Sequence, residues 1–257
     1  MLMQFASLGS GSKGNATLVR AADTAVLIDC GFSVKETLQR MARLAFEPSQ
    51  LSAILVTHEH GDHAKGVMAL SRKLNVPVFM SAGTAIALDC MADPRVQTID
   101  LHTPFRLGDL HIEPVAVPHD AREACQFVLG YESHRLGILT DLGHITPHVV
   151  NLYQQVDALI LEANHDPELL AEGPYPPSLK RRVGGALGHL SNRQSAELLQ
   201  QIDLARVQKV IISHISEQNN DLALAKATLA SVMPGHEDKL QFNCQDAGFD
   251  WCQIQPL

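Results

Sequence analysis

A histidine cluster directly after a short apolar run restricts this chain more than any other feature. The run 53–56 has the composition of a buried strand, and Thr57-His58-Glu59-His60-Gly61-Asp62-His63 follows at once. In an extended segment side chains alternate faces, so His58 and His60 share a face and can bind one metal ion. Asp62 and His63 follow a glycine that permits a turn, and they can reach a second ion. The alternative, a histidine-rich surface turn without metal, leaves the repulsion between protonated imidazoles uncompensated.

Length and composition indicate a globular protein. With 257 residues the chain can bury a core, and no apolar run approaches the roughly 18 residues that a membrane span needs. The N-terminus lacks the basic region of a signal peptide, which predicts a cytoplasmic protein with no membrane partner. The five cysteines form no Cys-x-x-Cys pair and predict reduced, mostly buried side chains. The formal charge of −8 argues against a general nucleic-acid coat but allows a local basic groove.

Hydrophobic periodicity predicts two blocks of mixed strands and helices. Strands are predicted at 3–8, 16–19, 25–29, 54–57, 96–101, 105–117, 126–132, 136–140, 158–162, 210–213 and 240–243. Helices are predicted at 34–44, 64–74, 146–155, 191–201 and 222–233. Because helices can cover only the outer faces of two such sheets, we predict an α/β fold, a four-layer αββα sandwich in a single domain over residues 1–257. The segment 166–189 predicts a long loop that acts as a lid.

Three further metal-ligand candidates stand where a predicted strand ends. His119 follows 115–118, Asp141 follows 137–140, and His214 follows 210–213. Loops at strand ends can aim such side chains into a shared cleft. The two oxygens of Asp141 can bridge two cations, whereas each imidazole donates one lone pair. All of these donors are nitrogen or oxygen, which favours zinc and leaves manganese(II) and iron(II) open.

The candidate ligands resemble the signature of the metallo-β-lactamase superfamily, whose fold is the αββα sandwich. The superfamily motifs are His58-x-His60-x-Asp62-His63, Thr140-Asp141 and the terminal His214. Other motifs resemble the branch called YycJ or WalJ, also VicX: Ser10-Gly11-Ser12-Lys13-Gly14-Asn15, Leu27-Ile28-Asp29-Cys30-Gly31, Glu162-Ala163-Asn164-His165-Asp166, Gly188-His189-Leu190-Ser191-Asn192 and Ser213-His214-Ile215-Ser216. The resemblance covers nearly the whole chain. It implies one metal site of His58, His60 and His119, a second of Asp62, His63 and His214, and Asp141 as the bridge.

The resemblance implies a dinuclear metal-dependent hydrolase. Two divalent ions lower the pKa of a shared water toward about 7, so a hydroxide is available to attack phosphorus at neutral pH. Asp62 is expected to orient that hydroxide. The YycJ or WalJ branch is associated with 5′-to-3′ exonuclease activity, so we expect a phosphodiesterase or nuclease with DNA as the favoured partner, and a homodimer is left open.

Two other functions remain open. One is a small-molecule hydrolase that acts on a cyclic or short phosphodiester, a thioester or a lactone; the acidic charge favours it. The other is a metal-dependent regulatory or redox module. The superfamily's diiron oxygen reductases prefer a carboxylate at the second ligand position of the first metal site. This chain has His60 at that position, which argues against the redox alternative.

Three side chains next to the predicted ligands are expected to support catalysis. His189 lies in a segment that resembles the histidine segment beside the metals of ribonuclease Z, which implies a general acid or a phosphate contact. The alternative is an ordinary histidine at a helix N-terminus. Asp29 and Glu162 end predicted strands and can hold ligand imidazoles by their second nitrogens, or they only terminate those strands.

Substrate-binding candidates come from two polar segments and one further histidine. Ser10, Ser12 and Asn15 form a glycine-spaced loop whose N–H groups can bind an anion, unless it is only a hairpin turn. His165 either lines the pocket or lies on the surface. Lys180, Arg181 and Arg182 form either a solvated face or a phosphate grip on the lid, moved by a hinge at Gly184-Gly185.

Overall fold

The computed structural model describes residues 2–255, and these residues form two compact units. The strands are β1 (Gln4–Gly9), β2 (Ala16–Ala21), β3 (Thr24–Ile28), β4 (Ala53–Leu55), β5 (Val78–Ser81), β6 (Val96–Ile99), β7 (Phe105–Leu107), β8 (Leu110–Ala116), β9 (Cys125–Tyr131), β10 (His134–Leu139), β11 (Ala158–Glu162), β12 (Lys209–Ser213), β13 (Leu240–Phe242) and β14 (Phe249–Gln253). The helices are α1 (Val34–Arg43), α2 (Gly61–Ala64), α3 (Val67–Leu74), α4 (Ala82–Ala87), α5 (Pro147–Tyr153), α6 (Pro167–Glu172), α7 (Pro177–Val183), α8 (Asn192–Leu199) and α9 (Leu222–Ala230). The first unit runs from the N-terminus to Ala116 and includes Ala121–His134 and the chain from Asn243 onward. The second unit comprises Val117–Asp120 and Arg135–Phe242.

The first unit contains a mixed sheet with the strand order β14-β1-β2-β3-β4-β5-β6. Strands β14, β1, β2 and β3 pair antiparallel, and β3, β4, β5 and β6 pair parallel. All residues of β3 and β4 are buried, as is typical of central strands with apolar side chains on both faces. Side chains from this sheet and from α1 and α3 share one apolar cluster that includes Leu27, Met41, Ile54 and Leu70. This core fixes the strand ends from which Asp29 and the histidine segment emerge.

The remaining strands pair within each unit. In the first unit β7, β8 and β9 pair antiparallel. In the second unit β10, β11, β12 and β13 pair parallel. In the second unit Ile138 is in register with Ile160 on the next strand, and Ile160 is in register with Ile211. Parallel strands in this register end at the same edge, which brings Asp141, Glu162 and His214 to one side of that unit. Both sheets are mixed and helices flank them, so the predicted α/β class with two mixed sheets is confirmed.

The predicted antiparallel start of the chain and most later elements agree with the structure within a few residues. The predicted strand 105–117 is wrong, because Gly108 has a φ of 54° and turns the chain between β7 and β8. The predicted helix 64–74 is divided into α2 and α3. The sequence did not predict β5, α4 or β14. The prediction of one domain over 1–257 stays a prediction.

The segment 166–189 is not the long loop that the sequence predicted, because it contains α6 and α7. Both helices carry proline in the first turn, where its missing N–H is not needed. The Asp166 side chain also caps α6 by accepting from the N–H groups of Glu168 and Leu169. Two prolines of this segment therefore begin helices.

Within residues 2–255 no helix has both the length and the hydropathy that are needed to cross a membrane. The five cysteines carry no disulfide: Cys30, Cys90 and Cys125 are buried, and Cys244 is exposed.

Candidate metal centre

In the first unit two histidines present ring nitrogens to each other. His58 follows β4, and α2 begins directly after His60, whose carbonyl accepts hydrogen bonds from His63 N and Ala64 N at 2.9 Å each. His58 Nε2 lies 3.0 Å from His60 Nδ1, and the other nitrogen of His58 lies 2.9 Å from Thr57 Oγ1. Two imidazole nitrogens at this separation can donate their lone pairs to one ion.

The Asp29 carboxylate contacts the third histidine of this unit, His63. Asp29 ends β3 in the left-handed region with a φ of 61°, a conformation that is uncommon outside glycine and clusters at functional sites. Its carboxylate accepts hydrogen bonds from Thr57 N and Thr57 Oγ1 at 2.8 Å each, and it lies 2.7 Å from His63 Nδ1. An acceptor at Nδ1 fixes the proton there, which leaves Nε2 as the nitrogen that can bind a metal.

The glycine-spaced loop packs against this histidine segment. Asn15 N donates to the Asp62 carbonyl at 2.7 Å, Gly14 N to the Gly11 carbonyl at 3.0 Å, and Lys13 N to Gln245 Oε1 at 3.3 Å. These N–H groups are therefore engaged within the protein. Of the three residues predicted to bind an anion, Ser10 and Asn15 are buried and Ser12 is exposed.

In the second unit Asp141 and His214 stand at strand ends with left-handed backbones. Their φ angles are 57° and 53°. Asp141 Oδ1 lies 3.6 Å from His214 Nε2, so a carboxylate and an imidazole face each other. His119 Nδ1 lies 3.0 Å from the Gly188 carbonyl, which leaves Nε2 for a ligand. Burial lowers the pKa of His119, which favours the neutral imidazole that metal binding requires.

Glu162 and His189 lie in the same group of the second unit. His189 Nδ1 is 3.3 Å from Glu162 Oε2 and 3.4 Å from Asp141 Oδ1. The Glu162 carboxylate also accepts from the N–H groups of Asp141 at 2.7 Å and Leu190 at 2.5 Å. Donor atoms of Asp141, Glu162, His189 and His214 all lie within 4.8 Å of one another, so this group could hold a metal ion. Glu162 therefore contacts His189 and the main chain at Asp141.

The basic segment contacts its surroundings through two of its three side chains. Lys180, Arg181 and Arg182 form the last turn of α7, where Lys180 Nζ donates to the Ala171 carbonyl at 2.6 Å and Arg182 pairs with the Asp120 carboxylate. The residues after Gly184-Gly185 are also bonded: His189 N donates to the Val183 carbonyl at 2.9 Å, and Asp120 N to the Leu187 carbonyl at 2.9 Å. The hinge at Gly184-Gly185 stays a prediction.

His165 is buried, with 3% of its surface exposed, so the alternative of a surface position is wrong. Burial lowers its pKa to about 4, which keeps the imidazole neutral at physiological pH.

Sequence reasoning missed the role of Asn164. Its side-chain amide donates to the His214 carbonyl at 3.0 Å and lies 3.2 Å from His214 Nδ1. Asn164 follows β11 by two positions, so the strand-end rule that found Glu162 could also have found it. Both units therefore carry histidine and carboxylate donors. Polar neighbours contact the second ring nitrogen of the histidines or the main chain of the carboxylate residues, and this donor set suits a divalent metal ion.

The model of the beta-lactamase superfamily domain matches residues 24–215. The chain is 31% identical over 240 residues to exodeoxyribonuclease YycJ of Bacillus anthracis, covering 91% of this chain and 90% of that protein. It is also 31% identical over 236 residues to exodeoxyribonuclease WalJ of Streptococcus pneumoniae, covering 90% and 88%. The metallo-beta-lactamase fold protein YhfI of Bacillus subtilis superposes with a TM-score of 0.77 at 14% identity, over 98% of this chain and 100% of that one. The chain therefore belongs to the metallo-β-lactamase superfamily, in the family of the YycJ and WalJ exodeoxyribonucleases.

Proposed function

We propose that this protein is a dinuclear metal-dependent phosphodiesterase that degrades DNA as a 5′-to-3′ exonuclease. The observation that carries the proposal is the convergence of His58 Nε2 and His60 Nδ1 at 3.0 Å, next to a His63 ring that Asp29 fixes through Nδ1. Asp29 at Nδ1 of His63 and Thr57 Oγ1 at Nδ1 of His58 leave the Nε2 atoms of both rings for a metal ion. The DNA substrate is supported by two relatives that are named exodeoxyribonucleases and align over nearly their whole length.

The proposed ligands divide into two sites. His58, His60 and His119 would hold the first ion, Asp62, His63 and His214 would hold the second, and Asp141 would be shared by both. Zinc is the ion that we propose, with manganese(II) and iron(II) as alternatives for the same donors. When bound, two such ions supply an activated water and stabilise the charge that develops on the phosphoryl group.

His189 is the residue that we propose to contact the scissile phosphate or protonate the leaving oxygen. Because Glu162 Oε2 lies 3.3 Å from its Nδ1, the proton on that nitrogen points to the carboxylate. Nε2 is then the atom that exchanges a proton with the substrate. Stacking of the His189 ring on that of His214, with centroids 5.1 Å apart, restricts its rotation. Asp62 is proposed to orient the attacking water.

The proposed substrate contacts are Ser10, Ser12, Asn15, His165, Lys180, Arg181 and Arg182. Among these, Arg182 is supported most directly, because its partner Asp120 has an oxygen 3.4 Å from His119 Nε2. An arginine held next to a metal ligand can offer a bidentate contact to a phosphate. A cytoplasmic location and a homodimer remain predictions.

The proposal is tested with metal-loaded protein and end-labelled single- and double-stranded DNA, RNA and bis-p-nitrophenyl phosphate. We expect stepwise shortening of DNA from the 5′ end that is abolished by chelation and by Asp62→Ala. An exposed aspartate on β14 provides the matched control, so Asp250→Ala should leave the rate unchanged. Cleavage of the small ester alone would contradict the nuclease and favour the small-molecule hydrolase.

A further inference from the structure

Two side-chain amides of the second unit form a reciprocal pair. Asn192 Nδ2 donates to Asn220 Oδ1 at 2.8 Å, and Asn220 Nδ2 donates to Asn192 Oδ1 at 2.9 Å. The orientation of Asn220 is fixed independently, because Asp221 N donates to its Oδ1 at 2.9 Å and a backbone N–H can only donate. Asn192 is buried, and burial of an amide is costly unless the amide is hydrogen-bonded. The pair therefore constrains both residues.

Asn220 also binds the main chain that leaves β11. Its Nδ2 donates to the Ala163 carbonyl at 2.9 Å and to the Asn164 carbonyl at 3.2 Å. Ser216 N donates to the same Asn164 carbonyl at 2.9 Å, and Asn164 N donates to the Leu190 carbonyl at 2.9 Å. Together with the amide pair, these bonds join three chain segments: the end of β11, the segment before α8 and the loop after β12.

Two of these segments carry histidines of the candidate metal centre. Asn192 lies three positions after His189, and Asn220 lies six positions after His214. The rings of His189 and His214 are stacked, with centroids 5.1 Å apart and an interplanar angle of 17°. Glu162 Oε2, which lies 3.3 Å from His189 Nδ1, restricts the rotation of the His189 ring. The amide pair acts on another variable, because it spans the separation between the two segments directly.

We propose that Asn192 and Asn220 are positioning residues that keep His189 at the place from which it protonates the leaving oxygen. The inference rests on the proposed role of His189 in DNA cleavage. A general acid acts only within hydrogen-bond distance of the oxygen that leaves, and a displacement of about 1 Å can lower the rate about 100-fold. An amide pair that ties the His189 segment to the His214 loop prevents such a displacement.

The leaving group distinguishes this role from a general structural one. When the P–O bond of DNA breaks, the departing sugar oxygen needs a proton, which His189 Nε2 supplies. The p-nitrophenolate released from bis-p-nitrophenyl phosphate is a stable anion and leaves without one. Asn192→Ala should therefore lower the single-turnover rate on DNA about tenfold or more, and the rate on the ester less than about threefold. Loss of folded protein or of bound metal would lower both rates by the same factor.

The experiment compares the two rates in the zinc-loaded wild type and in matched variants. Asn192→Asp keeps the size of the side chain and replaces the donor that faces Asn220 Oδ1 by an oxygen, so it should show the same selective loss if Asn192→Ala does not fold. Asn220→Ala should also lose DNA cleavage selectively. The double variant should lose no more than Asn220→Ala does, because the two residues act as one pair. The control, Ser71→Ala in the first unit, removes a buried hydrogen bond to the Val76 carbonyl and should show no selective loss.

A second readout does not depend on activity. Nuclear Overhauser contacts between the ring protons of His189 and His214 report the stacking of the two rings in the zinc-loaded wild type. These contacts should weaken in Asn192→Ala and Asn192→Asp and stay unchanged in Ser71→Ala.

The outcomes separate the inference from the proposed function. Rates on DNA and on the ester that fall by equal factors in the Asn192 variants, or that do not fall, overturn the inference alone. Unchanged contacts between the two rings overturn it as well, and so does a double variant whose loss is the product of the two single losses. A wild type that does not cleave DNA overturns the proposed function with it.

Discussion

The substitution Asp29→Asn should weaken metal binding at His63 while it preserves the backbone. Asparagine tolerates the left-handed region, so the φ of 61° at this position can be kept. The amide oxygen can still accept from Thr57 N, and the NH2 group then replaces the oxygen that lies 2.7 Å from His63 Nδ1. A donor at that position favours the tautomer with its proton on Nε2, the nitrogen that is needed for the metal.

Loss of such an orienting partner typically weakens metal binding about 10- to 100-fold, which is about 1.4 to 2.7 kcal/mol. The assay is a zinc titration in competition with a chelator, combined with hydrolysis of bis-p-nitrophenyl phosphate at saturating zinc. Excess zinc should restore part of the activity, because the ligand itself remains. The matched control is Asp89→Asn, which changes another aspartate in the left-handed region, with a φ of 50°, on an exposed turn.

Asp89→Asn should bind zinc as the wild type does. If Asp29→Asn also retained wild-type zinc affinity, the argument that Asp29 selects the tautomer of His63 would be refuted.

Three further predictions concern the surroundings of the two donor groups. Gly31→Ala should lower the free energy of unfolding, measured by chemical denaturation, by about 3 kcal/mol or more, because the new Cβ would meet the Asp62 carbonyl oxygen at 1.8 Å. Gly61→Ala should leave it nearly unchanged, because no atom lies within 4 Å of its Cβ. Glu162→Gln should lower kcat at least about tenfold and change the pH profile of kcat, because an amide cannot accept from His189 Nδ1 and from the N–H groups of Asp141 and Leu190 together. The control Glu197→Gln, on the exposed face of α8, should have no effect. His165 has a pKa of about 4 in the folded protein, below the ordinary 6.5. As the pH decreases, the imidazole is therefore protonated in the unfolded chain before it is protonated in the folded protein, and the free energy of unfolding should fall between about pH 6.5 and about pH 4. His165→Gln should reduce that fall in urea titrations at pH 6.5 and pH 4.5, and an identical fall in both proteins would exclude His165 as its source.

The histidine segment could be predicted from the sequence because its donors are close along the chain. Alternation in an extended segment placed His58 and His60 together, and the structure has their nitrogens 3.0 Å apart. Asp29 and Glu162 could be proposed because each ends an apolar strand. Their partners could not be assigned, since these depend on which strand ends lie next to each other in the folded sheet.

The contacts of the glycine-spaced loop could not be predicted from the sequence. The loop resembles an anion-binding turn, and only tertiary packing shows that the N–H groups of Lys13, Gly14 and Asn15 bond within the protein and that Asn15 Nδ2 lies 3.0 Å from His63 Nε2. The segment 166–189 was misjudged for another reason. Proline is frequent in loops and is also favoured in the first turn of a helix, where Pro167 and Pro177 stand.

The central claim is that these donors hold two metal ions for phosphodiester hydrolysis. Anomalous diffraction from crystals grown with zinc, recorded on both sides of the zinc absorption edge, tests it most directly. We predict two peaks about 3.5–4 Å apart, one contacting His58 Nε2 and His60 Nδ1 and the other contacting Asp62 and His63 Nε2. A single peak, or zinc bound elsewhere while these donors keep their hydrogen bonds, would contradict the account.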